Sequence, residues 1–310
     1  MKKILFILAA VIAVSLLWLY VLMPGKITID QSLKVEANRN ALYRKLENSS
    51  TWKEWWPGTS DGTSTFYLNN IKFRPGPTRT LSMPLIAEDK YFKTSAELTF
   101  IPVLQDSTII HMETSVTLPY NPFKRVSAYF RSGKLEDTFL TILQSLNKTY
   151  SKIVNLYDYD IQKKLVVDSI LIFTSEETMG YPSVDKIYGM IDDLKAYIQK
   201  NSATETGFPM QNIYTADSIK YLVKVAIPVN KRLPDSDKIR YKWMLPGGNI
   251  LITEVKGGQD KINEAYKQIT NYISDYGRIA PAIPFESLVT DRRNERDSTK
   301  WITRIYYPVI

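Results

Sequence analysis

Apolar and polar positions follow two rhythms along this chain, and the changes between them mark its elements. Residues 4–23 carry no charge, and at 1.5 Å per residue they predict a helix of roughly 30 Å, the hydrocarbon thickness of a bilayer. Lys2 and Lys3 precede the run, Trp18 and Tyr20 lie near its far end, and Pro24-Gly25 ends it. A cleaved signal peptide would want a shorter apolar run and small residues at the cut. This run ends Leu-Tyr-Val-Leu-Met-Pro, so an uncleaved anchor is expected. By the positive-inside rule the N-terminus would be cytoplasmic. The expectation is a single-pass inner-membrane protein, with the bilayer as a partner through residues 4–23 and soluble domains in the periplasm.

Residues 28–37 then alternate with period two, as a half-buried strand does. Asn38 caps a short helix over 41–46, with Leu42 and Leu46 on one face. The Trp-rich turn Trp52, Trp55, Trp56-Pro57 follows. Strand-like runs cover 64–73, 79–85, 96–103 and 108–118, and helical period returns over 134–153. A short polar connector is predicted over 156–164.

In the remaining chain, 250–255 reads as a strand, Gly257-Gly258 as a turn and Asp260 as a helix cap. Ile262, Ala265, Tyr266, Ile269, Tyr272 and Ile273 recur at helical spacing, and Gly277 closes the helix. Strands are predicted over 285–290 and 301–309. The same order occurs earlier. PMQNIYT at 209–215 aligns with PFESLVT at 284–290, and Asp217-Ser218-Ile219-Lys220-Tyr221 with Asp297-Ser298-Thr299-Lys300-Trp301. Both copies end at a Pro-Val, with a five-residue insertion around 292–296 in the second. This is a tandem duplication of a strand-helix-strand-strand unit.

Composition narrows the chemistry. With 310 residues, 44% of them hydrophobic, the chain can bury one large core or two ordinary ones, and a repeat confined to the second half favours two. The absence of cysteine excludes disulfides and thiol catalysis. A zinc site or a Ser-His-Asp triad could draw only on His111. The net charge of +8 is spread along the chain, as on a solubilising surface.

Several clusters carry a plain reading beside a functional one. His111 and Glu113 share a strand face, fit for acid-base work or merely solvated. Trp52, Trp55 and Trp56 could line a ligand mouth or plug the core under a helix. Asp158 and Asp160 look like a metal pair but sit in the connector. Arg292, Arg293 and Arg296 could meet a phosphate, although an exposed hairpin tip is simpler. Lys256-Gly257-Gly258 has too few glycines for a phosphate loop. No catalytic motif, metal site, cofactor or helix-turn-helix emerges, so a nucleic-acid partner is not expected.

The second half resembles the effector-binding domain of the gyrase-inhibitory-protein-like (GyrI-like) family. VKGG at 255–258, EAYKQITNYI at 264–273, PFE at 284–286 and DSTKWITRIYYPV at 297–309 carry the resemblance. It implies a ligand groove between two pseudo-symmetric units, with a buried acid that pairs with cationic aromatic ligands. Glu286 is the matching position, and Gln211 is its counterpart in the first copy. The family's usual aromatic two residues beyond the acid is replaced by Leu288. Tyr266, Trp301, Tyr306 and Tyr221 are the aromatics expected to wall the groove. The first half resembles the polyketide-cyclase-like, START-like (SRPBCC) helix-grip superfamily, through KVEANRNALYRKL at 34–46, WKEWWPG at 52–58 and PFKRVSAYF at 122–130. That resemblance implies an apolar cavity between sheet and long helix.

The expected fold class is therefore α+β: a transmembrane helix (1–25), a helix-grip domain (26–157), and a duplicated effector-binding domain (164–310). The expected function is to sense or sequester hydrophobic or cationic amphipathic small molecules, with a binding module favoured over an enzyme. The alternative is a hydrolase acting on a small electrophile in the C-terminal groove, with Glu286 as base and Tyr266 as orienting donor.

Overall fold

The computed structural model describes every residue except Met1, Thr63, Thr80, Leu81, Asp168, 216–218 and Leu245, and excepting the side chains of Lys2, Leu5 and Ser169. Asp217 and Ser218 of the repeat alignment, and the Lys2 side chain of the charge bias, therefore lie outside the described residues. The chain is α+β and divides into two compact units, Met1–Leu156 and Tyr157–Ile310.

The first unit opens with helix α1 (Lys2–Leu22). Among the described residues no helix is long and apolar enough to cross a membrane. The predicted transmembrane anchor, the inner-membrane localisation and the bilayer as a partner are thereby overturned. The end of α1 is instead held by polar contacts. Arg125 donates from Nε and Nη2 to the Met23 carbonyl (3.1 and 2.7 Å) and lies over the Tyr20 ring at 4.7 Å. The Tyr20 hydroxyl donates to the Tyr120 carbonyl.

Strand β1 (Lys26–Val35) leads to α2 (Arg39–Glu47), where Asn38 accepts from the amides of Asn40 and Ala41 as an N-cap does. Then come β2 (Thr59–Ser60), β3 (Phe66–Leu68), β4 (Ile71–Pro75), β5 (Ser82–Glu88), β6 (Lys93–Leu104) and β7 (Ser107–Thr117). They form one antiparallel sheet in the order β1-β7-β6-β5-β4-β3-β2. The single strand predicted over 64–73 is a hairpin instead. Asn69 and Asn70 both take positive φ (52° and 63°), the two-residue turn that matches strand twist. Helix α3 spans Pro122–Tyr150, starting at the Asn121 cap and Pro122, well before the predicted 134. Its early turns bury Arg125, Ala128 and Ser132, so the stripe of large apolar residues that signals a helix begins only at Leu135.

Trp52, Trp55 and Trp56 are buried with Phe66 and Phe73, with ring centroids 5.1–6.2 Å apart. The Trp52 indole donates to the Leu46 carbonyl (2.7 Å), and Ser145 of α3 bonds the Trp55 carbonyl. The tryptophans are thus a core plug. His111 Nε2 lies 3.6 Å from Glu113 on the solvated strand face.

Helix α4 (Ile153–Tyr157) and strand β8 (Gln162–Leu165) occupy the predicted connector. Leu156, Tyr157 and Ile161 are buried there. In the second unit, Tyr157 donates to Asp275 (2.8 Å) and packs edge-on against Tyr272.

The repeat is visible in the second unit. Its first copy is β9 (Ser169–Met179), α5 (Val184–Lys200), β10 (Met210–Thr215) and β11 (Lys220–Val229). After β12 (Arg240–Met244) the second copy is β13 (Asn249–Lys256), α6 (Gln259–Asp275), β14 (Phe285–Leu288) and β15 (Ile302–Val309). Gly277, at φ 57°, supplies the left-handed residue that ends α6. The eight strands form one antiparallel sheet, β12-β9-β11-β10-β14-β15-β13-β8, which reads as the same unit from either end. β10 and β14 meet at its centre. The edge strands are exchanged: β8 precedes the first copy but pairs with β13 of the second, and β12 precedes the second but pairs with β9 of the first.

Candidate functional site

The centre of that palindromic sheet holds the candidate site. In the β10–β14 pair, Gln211 lies directly opposite Glu286. Cross-strand neighbours share a face. Gln211 is opposite Val225, and Glu286 is opposite Ile305, both fully buried. Val225 belongs to the core under α5, with Leu288, which is two residues from Glu286 and so on the same face. Glu286 and Gln211 therefore face the helical side. They are only 8% and 1% exposed.

Gln211 Nε2 donates to Glu286 Oε2 at 2.8 Å, while the buried Gln211 Oε1 has no hydrogen-bond partner among the described residues. Tyr266 follows the buried Ala265 on α6, and its hydroxyl lies close enough to the Glu286 carboxyl for the two to influence each other. Its ring meets Tyr307 edge-on at 6.4 Å. Tyr181, in the loop before α5, donates to Gln259 Oε1 in the first turn of α6 (3.1 Å) and contacts the Tyr221 ring at 5.6 Å.

Arg292 supplies the cation. It is 8% exposed, so the hairpin-tip reading fails for it. Its Nη2 donates to Thr303 Oγ1 (2.9 Å) and stands 3.9 Å from Glu286 Oε2, and its guanidinium lies 4.8 Å over Trp301. Its backbone N–H donates to the Tyr188 hydroxyl (2.8 Å). Arg293 is exposed and pairs with Asp192.

The electrostatics follow from burial. Burial pushes the Glu286 carboxyl above the usual range, against the downward pull of the Gln211 bond, the Arg292 charge and the Tyr266 bond. Burial, and then the Glu286 charge, push Tyr181 up to about 12 and raise Tyr266 as well. Arg292 is drawn below the usual guanidinium range by burial, which the Glu286 charge opposes. The result is a buried carboxyl ringed by protonated phenols and one guanidinium, able to bind a polar group or exchange a proton.

Of the residues picked out in the sequence, Glu286, Gln211 and Tyr266 converge directly. Trp301 joins through Arg292, and Tyr221 through Tyr181. Tyr306 does not join: it lies on the opposite face, stacked on Phe285 at 4.9 Å, and its neighbour Tyr307 takes the place beside Tyr266. Tyr181, Tyr188 and Thr303 were not picked out, and Arg292 was weighed only as a phosphate contact or an exposed hairpin tip. Arg292 had one signal, its place in the insertion that distinguishes the second copy.

No family profile and no curated protein matches the chain. Among solved structures, the EcmrR C-terminal domain is similar at 20% identity over 49% of this chain and 98% of that one, with a TM-score of 0.42. SAV2435 bound to tetraphenylphosphonium matches at 14% identity over 48% of this chain and 93% of that one, with a TM-score of 0.32. A START superfamily protein from Mycobacterium smegmatis matches at 12% identity over 41% and 98%, with a TM-score of 0.29.

Proposed function

We propose that the second unit binds a small organic molecule on the helical side of its sheet, with a flat apolar body between the tyrosines and a cationic or N–H-bearing end at Glu286. In this reading 26–157 is a helix-grip domain and 164–310 a GyrI-like effector-binding domain. The observation that carries it is the buried Glu286 carboxyl on the pseudo-two-fold, with Gln211 across from it. That pairing makes an otherwise symmetric site asymmetric for charge. A carboxylate held in such a place carries a desolvation cost that a cationic ligand offsets. Arg292, at 3.9 Å, offsets part of it already, so the ligand shares the carboxylate with a resident cation.

Isothermal titration with 9-aminoacridinium and neutral acridine tests this. Glu286→Gln keeps the shape and removes the charge. It is expected to weaken the cation by about 2 kcal/mol or more, the scale for losing one partner of a desolvated charge pair, while acridine binds as well or better. Gln211→Glu is expected to tighten the cation. Equal losses for both ligands would make Glu286 structural, and no effect on either would place it outside the binding groove.

The closeness of Tyr266 to Glu286 also supports the second reading, hydrolysis of a small electrophile with Glu286 as base and Tyr266 as donor. Styrene oxide hydrolysis that is lost in both Glu286→Gln and Tyr266→Phe would favour it; no turnover in the parent protein would remove it.

A further inference from the structure

The helices of the second unit cover one face of its sheet, and the other face is not simply solvated. Val223, Val225 and Ile227 of β11 point into the core under α5, so Lys224 and Ala226 point the opposite way. On that open side Ala226 is flanked in register by Phe173 of β9 and Met210 of β10. A one-carbon side chain between two long ones leaves a trough. Leu171, Trp243, Ile283 and Phe285 extend its walls, enclosing a cavity of about 380 Å³. Contiguous apolar surface of this kind marks a binding site more often than a lone exposed side chain does, and the volume falls within the usual range for small-molecule sites.

Two further observations identify the occupant. Lys224 and Lys242 line the cavity and no Asp or Glu does. Among the described residues neither lysine has an ion-pair partner, and Lys224 merely leans over the Tyr214 ring at 6.0 Å. Asn212 also lines the cavity. Its Nδ2 is committed to the Pro284 carbonyl (2.8 Å), and its Oδ1 is buried with no donor. An unmatched buried acceptor is a standing cost that a ligand donor removes.

We propose that this open face is a second ligand site, distinct from the Glu286 groove, for amphipathic carboxylates: an apolar body over Ala226, a carboxylate at the lysines and a hydroxyl donor matched to Asn212. The two sites share one sheet but stand on opposite faces, with opposite charge preference.

Titration of the whole protein with decanoate, 3-hydroxydecanoate and decyltrimethylammonium tests it. Decanoate is expected to bind at least 10-fold more tightly than the ammonium, and the hydroxy acid more tightly than decanoate. Lys224→Met with Lys242→Met removes the carboxylate preference. Ala226→Leu fills the trough and abolishes binding, with circular dichroism and the melting temperature confirming that the variant folds. Glu286→Gln leaves decanoate binding unchanged, which separates this site from the groove. Equal binding of carboxylate and ammonium, decanoate binding indifferent to Ala226→Leu in a folded variant, or decanoate binding lost with Glu286→Gln would each overturn the proposal.

Discussion

Arg292→Met is the most informative single change, because Arg292 links the candidate site to stability. Its Nη2 stands 3.9 Å from Glu286 Oε2, and the two side chains are only 6% and 11% exposed. At an effective dielectric of about 20, unit charges at that distance attract by about 4 kcal/mol. Methionine keeps most of the length and removes the charge, the bond to Thr303 and the cation over Trp301. Breaking one side of a buried pair typically costs about 3–5 kcal/mol. Glu286 limits that cost by taking a proton, and the pH dependence follows. A carboxyl whose folded pKa is raised holds its proton more tightly folded than unfolded, so the folded state gains below the unfolded value and loses that gain as pH rises through the folded value. Arg292→Met raises the folded value further. Its penalty is therefore expected to be small at pH 5 and to grow toward pH 8. In a Glu286→Gln background the penalty should fall by about 2–4 kcal/mol, the Coulomb share just worked out. Hydrogen exchange of α6 amides across a urea series reads the second unit alone. Equal Arg292→Met penalties in both backgrounds, or a penalty that does not change with pH, would refute the reasoning.

Two other outcomes are expected. A fragment beginning at Tyr157 should be more stable than one beginning at Lys164 by about 3 kcal/mol or more, the scale for removing a buried aromatic side chain. The shorter piece loses Tyr157, Ile161 and half of β8; equal midpoints in urea would place the boundary at 164 after all. In an ultraviolet titration of tyrosinate, Tyr181→Phe should remove a component ionising near pH 12, and loss of a component near pH 10 instead would mean that Tyr181 is solvated.

The repeat was legible because it is written in spacing. Pro209 and Pro284 fix the frame, and the frame sets Gln211 across from Glu286. The phase of a strand was less legible. Tyr306 and Tyr307 are consecutive aromatics, and only the pairing of Tyr306 with Phe285 decides which faces the helices. Arg292 was hidden by its company, since three arginines in a short insertion read as solvated surface. One of them turns inward to a carboxylate that is distant in pattern though near in sequence. α3 was under-read at its start because the face it buries there is Arg125, Ala128 and Ser132, with no large apolar side chain to mark the period. The connector was misread because Tyr157 finds Asp275 and Tyr272, and β8 finds β13, far along the chain, in contacts that local polarity does not show.

The exchanged edge strands set the order in which the second unit can be completed. β8 is synthesised first, but its partner β13 emerges only after the whole first copy and β12 have left the ribosome. Until then β8 is an unpaired strand on a nascent chain, the kind of segment that recruits neighbouring polypeptides. Its sequence, Gln-Lys-Lys-Leu, suits that wait, because two adjacent lysines discourage a second copy from pairing with it. The lysines of β8 thus guard the interval between translation and closure of the sheet.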